Sequence, residues 1–167
     1  MPGREADRRM GDKTHHYEVS LEWTGDRGSG TSSYTGYERA HVLRAPGKPE
    51  IPGSSDPHFR GDPARWNPEE LLLASLSACH QLWYLHLCAV NKVTVVAYRD
   101  QASGEMAEHA DGSGEFTRVV LRPDVTIAAG SDPEKALELH HDAARSCFVA
   151  RSMNFPVDHE PRVKVSG

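Results

Sequence analysis

The stretch from Asn67 to Asn91 constrains the fold more than any other part of the chain. Asn67 is a favoured N-cap, Pro68 fits the first helical position, and Glu70 stands where a capping box needs it. Leu71, Leu72, Leu73, Leu76, Leu82, Trp83, Leu85 and Leu87 follow before Asn91 stops the run. Apolar residues fall nearly all round this helix, which predicts a central buried element rather than a surface one.

Length and composition narrow the class. At 167 residues and 18.4 kDa the chain suits one domain. We expect a disordered tail over residues 1–13 and a single domain over residues 14–167. The net charge of −5 excludes a generally basic nucleic-acid binder. No apolar run is long enough to span a bilayer, and the charged start MPGREADRRM has no leader-like apolar core. Three cysteines, an odd number, argue against a secreted disulfide framework, so a cytoplasmic protein without membrane or nucleic-acid partners is expected.

Around the helix the pattern is mixed. Tyr17, Val19, Leu21 and Trp23 alternate with polar residues, as in a half-buried strand. Thr31–Tyr34 and Glu38–Leu43 flank Thr35-Gly36 and read as a hairpin. From Ala45 to Trp66 runs a loop with five prolines, and so long a loop feeding the best-signalled helix suggests function. Val93–Ala97, then Phe116–Leu121 and Val125–Ile127 around Pro123, read as strands. Ser131-Asp132-Pro133-Glu134 starts a second helix, and Val157–Val165 closes the chain as a strand containing Pro161. The order βββ-α-ββ-α-β predicts an α+β fold.

Taken singly, the chemical candidates read blandly. Cys79, Cys88 and Cys147 each suit a small buried hydrophobe, and Cys88 keeps that reading. Glu69, at the second helical position, reads as a stabiliser of the helix start. A lone loop arginine such as Arg27, Arg60 or Arg65 reads as a solvated charge. Ten histidines raise the question of metal, but no CxxC or HExxH pattern occurs and adjacent helical histidines diverge. His140 and Cys147 share a face if the second helix runs through Ser146. Gly25-x-x-Gly28-x-Gly30 precedes a strand, so it is no dinucleotide fingerprint.

Together, several of these residues resemble a known pattern. Asn67-Pro68-Glu69-Glu70-Leu71, continuing LLASLSAC to Cys79, resembles the signature of the OsmC/Ohr family of osmotically inducible and organic hydroperoxide resistance proteins. Glu69 precedes Cys79 by the family's ten positions, and Cys147 in SCFVARSM stands where the second family cysteine falls. The resemblance spans nearly the whole chain from about residue 15.

It implies an OsmC-like α+β fold with antiparallel sheets, a central buried helix and an intertwined homodimer. The all-round apolar helix suits that, because one small subunit cannot cover every face of it. The implied activity is a thiol-dependent peroxidase acting on organic hydroperoxides in oxidative stress defence. Cys79 would attack the peroxide and Cys147 would resolve it as a disulfide. A lipoyl-type external dithiol would be the reductant, with no bound cofactor or metal. A reactive thiol must ionise, and Cys79 is mid-helix, so a cation is needed in place of a helix dipole. Arg60 is the candidate, oriented by Glu69; Arg27 is the competitor, and Arg65 lies too near the helix cap. His80 and Phe148 replace the apolar residue and proline that family members carry after the two cysteines. His80 sits about 100° round the helix from Cys79 and is expected to pack in the core. The alternative is a non-catalytic OsmC-fold protein that binds a small apolar or thiol ligand at the dimer groove.

Overall fold

The computed structural model describes residues 13–167, so the expected tail lies outside the described residues except for Lys13. The chain divides into two compact units, the first ending at Trp66 and the second running Asn67–Gly167.

The first unit is an antiparallel sheet of β1 (Ser20–Trp23), β2 (His41–Arg44) and β3 (Ile51–Gly53), in that order. Arg44 ties its strands together, donating to Glu22 at 2.7 Å and to Glu50 at 2.5 Å. The expected hairpin from Thr31 does not form. Asp26 accepts the N–H groups of Gly28 and Gly30 at 2.8 Å, and Arg39 donates to the carbonyls of Tyr34 and Tyr37. These local bonds use backbone groups that a strand ladder would need. The partner of β2 comes instead from inside the proline-rich segment, as β3. That segment is therefore partly regular: it continues into a single 3-10 turn at Pro57–Phe59 and returns beside Gly53 at Trp66. Gly61 permits the tight return, since a Cβ there would lie 1.5 Å from the Ser55 carbonyl oxygen. The alternation before β1 predicts a half-buried face, yet Tyr17 is 87% and Leu21 62% exposed. Among the described residues nothing covers that face.

The second unit opens with α1 (Pro68–Val90), and its capping box is complete. Asn67 Oδ1 accepts from the Glu70 N–H at 2.8 Å, and the Asn67 N–H donates to Glu70 Oε2 at 3.2 Å. Leu76, His80, Tyr84 and Cys88 recur every four residues and are the buried stripe of α1. Burial on all sides is not met among the described residues, because Leu82 is 66% and Val90 62% exposed.

Two three-stranded sheets follow. β4 (Val95–Asp100), β7 (Pro123–Ile127) and β9 (Arg162–Val165) form one; β5 (Ser103–Glu108), β6 (Gly114–Leu121) and β8 (Val157–His159) form the other. Asp100 explains the break at Arg122: its carboxylate accepts the Arg122 N–H at 2.7 Å, so that group leaves the ladder. Pro161, with no N–H to donate, divides the closing strand into β8 and β9. Their partners correct the antiparallel expectation, since β6/β8 and β7/β9 run parallel. β5 was not foreseen; SGEMAE lacks apolar alternation and takes its register from β6. α2 (Pro133–Ser146) is capped by Asp132, and Ala136, Leu139, His140 and Ala143 are its buried face. Among the described residues the fold is α+β, with two α-helices and small sheets, and no helix is long and apolar enough to cross a membrane.

Candidate active site

The helices of the second unit bring two distant cysteines together. Cys79 lies in the middle of α1, half-buried, whereas Cys147 is the buried C-cap of α2. The Cys147 N–H donates to the Ala143 carbonyl at 2.9 Å, which completes the helix and sets the direction of its side chain. Its thiol lies close to that of Cys79 and accepts from the Ala150 N–H at 3.4 Å. Burial first, and then the contact with Cys79, push the Cys147 thiol up to about 11. At neutral pH Cys147 therefore keeps its proton. The short segment after it, Ala150–Ser152, starts without a side-chain cap, so Ser146 ends α2 rather than capping a new turn.

Cys88, two turns beyond Cys79, behaves as expected of a packed cysteine. It is buried beside the Tyr84 hydroxyl, and burial raises its thiol. All three cysteines are free thiols.

Phe148, the residue after Cys147, projects from the protein with 67% of its surface exposed and meets the edge of Trp83 with 5.5 Å between ring centroids. Trp83 in turn lines a shallow hollow of about 260 Å³ with Leu82 and His86.

His80 packs in the core, as expected, but with an unexpected partner. His80 Nε2 lies 3.0 Å from His140 Nδ1, both rings being fully buried. Tyr84 stacks on His140 with 3.7 Å between centroids, and His159 lies against His80 at 4.5 Å. Burial holds both His80 and His140 near a pKa of about 3, and neighbouring histidines add to the effect. A signal for this pair existed in the sequence: each histidine interrupts an otherwise apolar stripe, one on α1 and one on α2. α2 does continue through Ser146, so His140 and Cys147 occupy the same buried face.

The arginine candidates all belong to the first unit, where Arg27, Arg60 and Arg65 line one cavity of about 300 Å³. Arg27 is committed to Glu38, donating at 3.1 and 2.5 Å, and Arg65 lies 3.6 Å from Asp62. Arg60 has no carboxylate partner among the described residues; its guanidinium lies 5.8 Å from the Tyr34 ring centroid. Its backbone is left-handed, with φ 65°. Glu69 belongs to the second unit, at the start of α1, and its Oε2 is buried without a hydrogen-bond partner.

A family model described as OsmC-like protein matches residues 61–162. Among solved structures, an OsmC-like protein of unknown function from Vibrio cholerae O1 biovar eltor is 30% identical with a TM-score of 0.81, covering 89% of this chain and 100% of that one. An organic hydroperoxide resistance protein from Elizabethkingia anophelis shares the fold at 15% identity and TM-score 0.66, covering 93% of this chain and 100% of its own. The organic hydroperoxide resistance protein OhrB of Bacillus subtilis does so at 19% identity and TM-score 0.60, covering 90% and 98%. A search of curated proteins finds no match.

Proposed function

This chain belongs to the OsmC-like family, and we propose that it is a thiol-dependent peroxidase reducing organic hydroperoxides. The observation that carries the reading is the proximity of the Cys79 and Cys147 thiols, two groups 68 positions apart in the chain that α1 and α2 bring near enough for Cys79 to raise the Cys147 thiol. The half-buried sulfur, Cys79, is the nucleophile; the buried one keeps its proton until it is needed.

In the first step the Cys79 thiolate attacks a peroxide oxygen. A sulfur–oxygen bond forms, the O–O bond breaks, and the alkoxide leaves as the alcohol after taking up a proton. Cys79 is then a sulfenic acid. Cys147 attacks that sulfur, the disulfide forms, and the hydroxyl group leaves as water with the proton of Cys147. An external dithiol of lipoyl type returns both cysteines to thiols and is itself oxidised to a disulfide, so no bound cofactor is required. Arg60 supplies positive charge to the Cys79 sulfur and the leaving oxygen, and Glu69 orients it; the unpartnered Glu69 Oε2 supports that role. Leu82, Trp83 and Phe148 offer the apolar contact that the organic part of the hydroperoxide needs.

The working form in this reading is a homodimer in the cytoplasm. The exposed Leu82 and Val90 of α1, with Tyr17 and Leu21 of the first unit, are the apolar surfaces that a second copy would cover. Light scattering should give twice the 18.4 kDa chain mass. The reaction itself is tested by following cumene hydroperoxide consumption with dihydrolipoamide. Cys79→Ser should abolish turnover. Full turnover in that variant would defeat the reading and leave a ligand-binding protein.

A further inference from the structure

The cavity of the first unit contains more positive charge than a single catalytic arginine requires. Arg27, Arg39, Arg60 and Arg65 surround it, against the two carboxylates of Glu38 and Asp62. Arg39 is fixed there: it donates to the Tyr37 and Tyr34 carbonyls at 2.8 and 2.9 Å, and its guanidinium stacks on both rings at 4.1 and 4.6 Å. Arg60 approaches the same Tyr34 ring and has no carboxylate partner among the described residues. Like charges converging on one hollow repel each other, and an anion between them removes that cost.

The cavity also has a neutral donor. Ser54 lines it, is 1% exposed, and its hydroxyl oxygen accepts the Asp62 N–H at 3.1 Å. The hydroxyl proton is then left to donate.

We propose that this cavity binds an oxyanion, the carboxylate or phosphate group of a small molecule, held by guanidinium groups and the Ser54 hydroxyl. A volume of about 300 Å³ accepts such a group with a short organic tail. The site shares Arg60 with the peroxidase reading, but binding of the anion requires no cysteine chemistry and is measured without peroxide.

Calorimetric titration of the reduced protein in low-chloride buffer, without peroxide, tests it. Inorganic phosphate and succinate are the two probes. Saturable binding of phosphate alone identifies a phosphate site, and of succinate alone a carboxylate site; either sustains the proposal. Arg65→Ala and Arg27→Gln should each weaken binding tenfold or more, with Arg65→Lys recovering part of the loss. Arg118→Ala, which removes a guanidinium paired with Asp158 in the second unit, should leave it unchanged. Affinity should fall as chloride is added. Absence of saturable binding by both probes overturns the proposal, as does binding that neither arginine variant weakens.

Discussion

His80 and His140 share a ring-to-ring hydrogen bond of 3.0 Å with neither ring open to solvent. One ring nitrogen must donate and the other accept, so the bond is lost when both rings are charged, and burial opposes charge on either ring. His159 and His141 add positive charge nearby on protonation, opposed by Asp158 and Asp100 from the flanking strands.

The pair makes stability pH-dependent. Its folded pKa, about 3 for each ring, lies below the unfolded value near 6.5, so the unfolded chain binds more protons between those limits. Stability is therefore complete above pH 6.5 and falls as pH drops, by roughly 1.4 kcal/mol per pH unit for each histidine. Urea denaturation at pH 7 and pH 5 should show a loss of a few kcal/mol, and His140→Asn should flatten that slope by about half. An unchanged slope in the variant would place the dependence elsewhere.

Oxidation should join Cys79 to Cys147. After one equivalent of cumene hydroperoxide, mass spectrometry of non-reduced peptides should find that link with Cys88 still free. Cys79 and Cys88 are nine residues apart on one helix, a rise of about 13 Å, which no disulfide spans. In Cys147→Ser the reaction should halt at a Cys79 sulfenic acid that dimedone captures.

Glu69 and Arg60 should matter to rate rather than to folding. Glu69→Gln leaves the proposed guanidinium poorly held, and kcat/KM for an alkyl hydroperoxide should fall about tenfold, roughly 1.4 kcal/mol of transition-state stabilisation. Arg60→Ala should lose more and should slow alkylation of Cys79 at neutral pH. Arg27→Ala should cost less, because Glu38 already engages that guanidinium. A full rate in Arg60→Ala with a dead Arg27→Ala would reverse the choice of arginine.

Asn67 should show the opposite behaviour. Asn67→Ala removes the oxygen that accepts from the Glu70 N–H and is expected to cost about 1 kcal/mol, or roughly 2–4 °C in Tm. Peroxide turnover at 25 °C should be retained. A large loss of rate at unchanged Tm would mean that the cap positions the site.

Much of the frame was legible from local chemistry. Asn67, Pro68 and Glu70 mark the start of α1, Asp132 and Pro133 mark that of α2, and both helices begin there. The spacing from Glu69 to Cys79 and the position of Cys147 pointed to two cysteines that the helices do bring together. β5 was not legible, because SGEMAE carries no alternation and depends on β6 for its place. The segment from Thr31 misled for the converse reason: its strand-like residues are outweighed by the bonds of Asp26 and Arg39.

By itself, then, the sequence determined where helices start and stop, which two cysteines stand at the family's positions, and that the fold mixes helix with sheet. Caps, periodicity and motif spacing act over a few residues and are written in the order of the chain. Only the tertiary structure decided that β8 and β9 run parallel to β6 and β7, that His80 meets His140, and that Arg27, Arg39, Arg60 and Arg65 surround one cavity. Each of these joins residues far apart in the chain, and their meeting follows from how whole elements pack, which no local run of residues encodes.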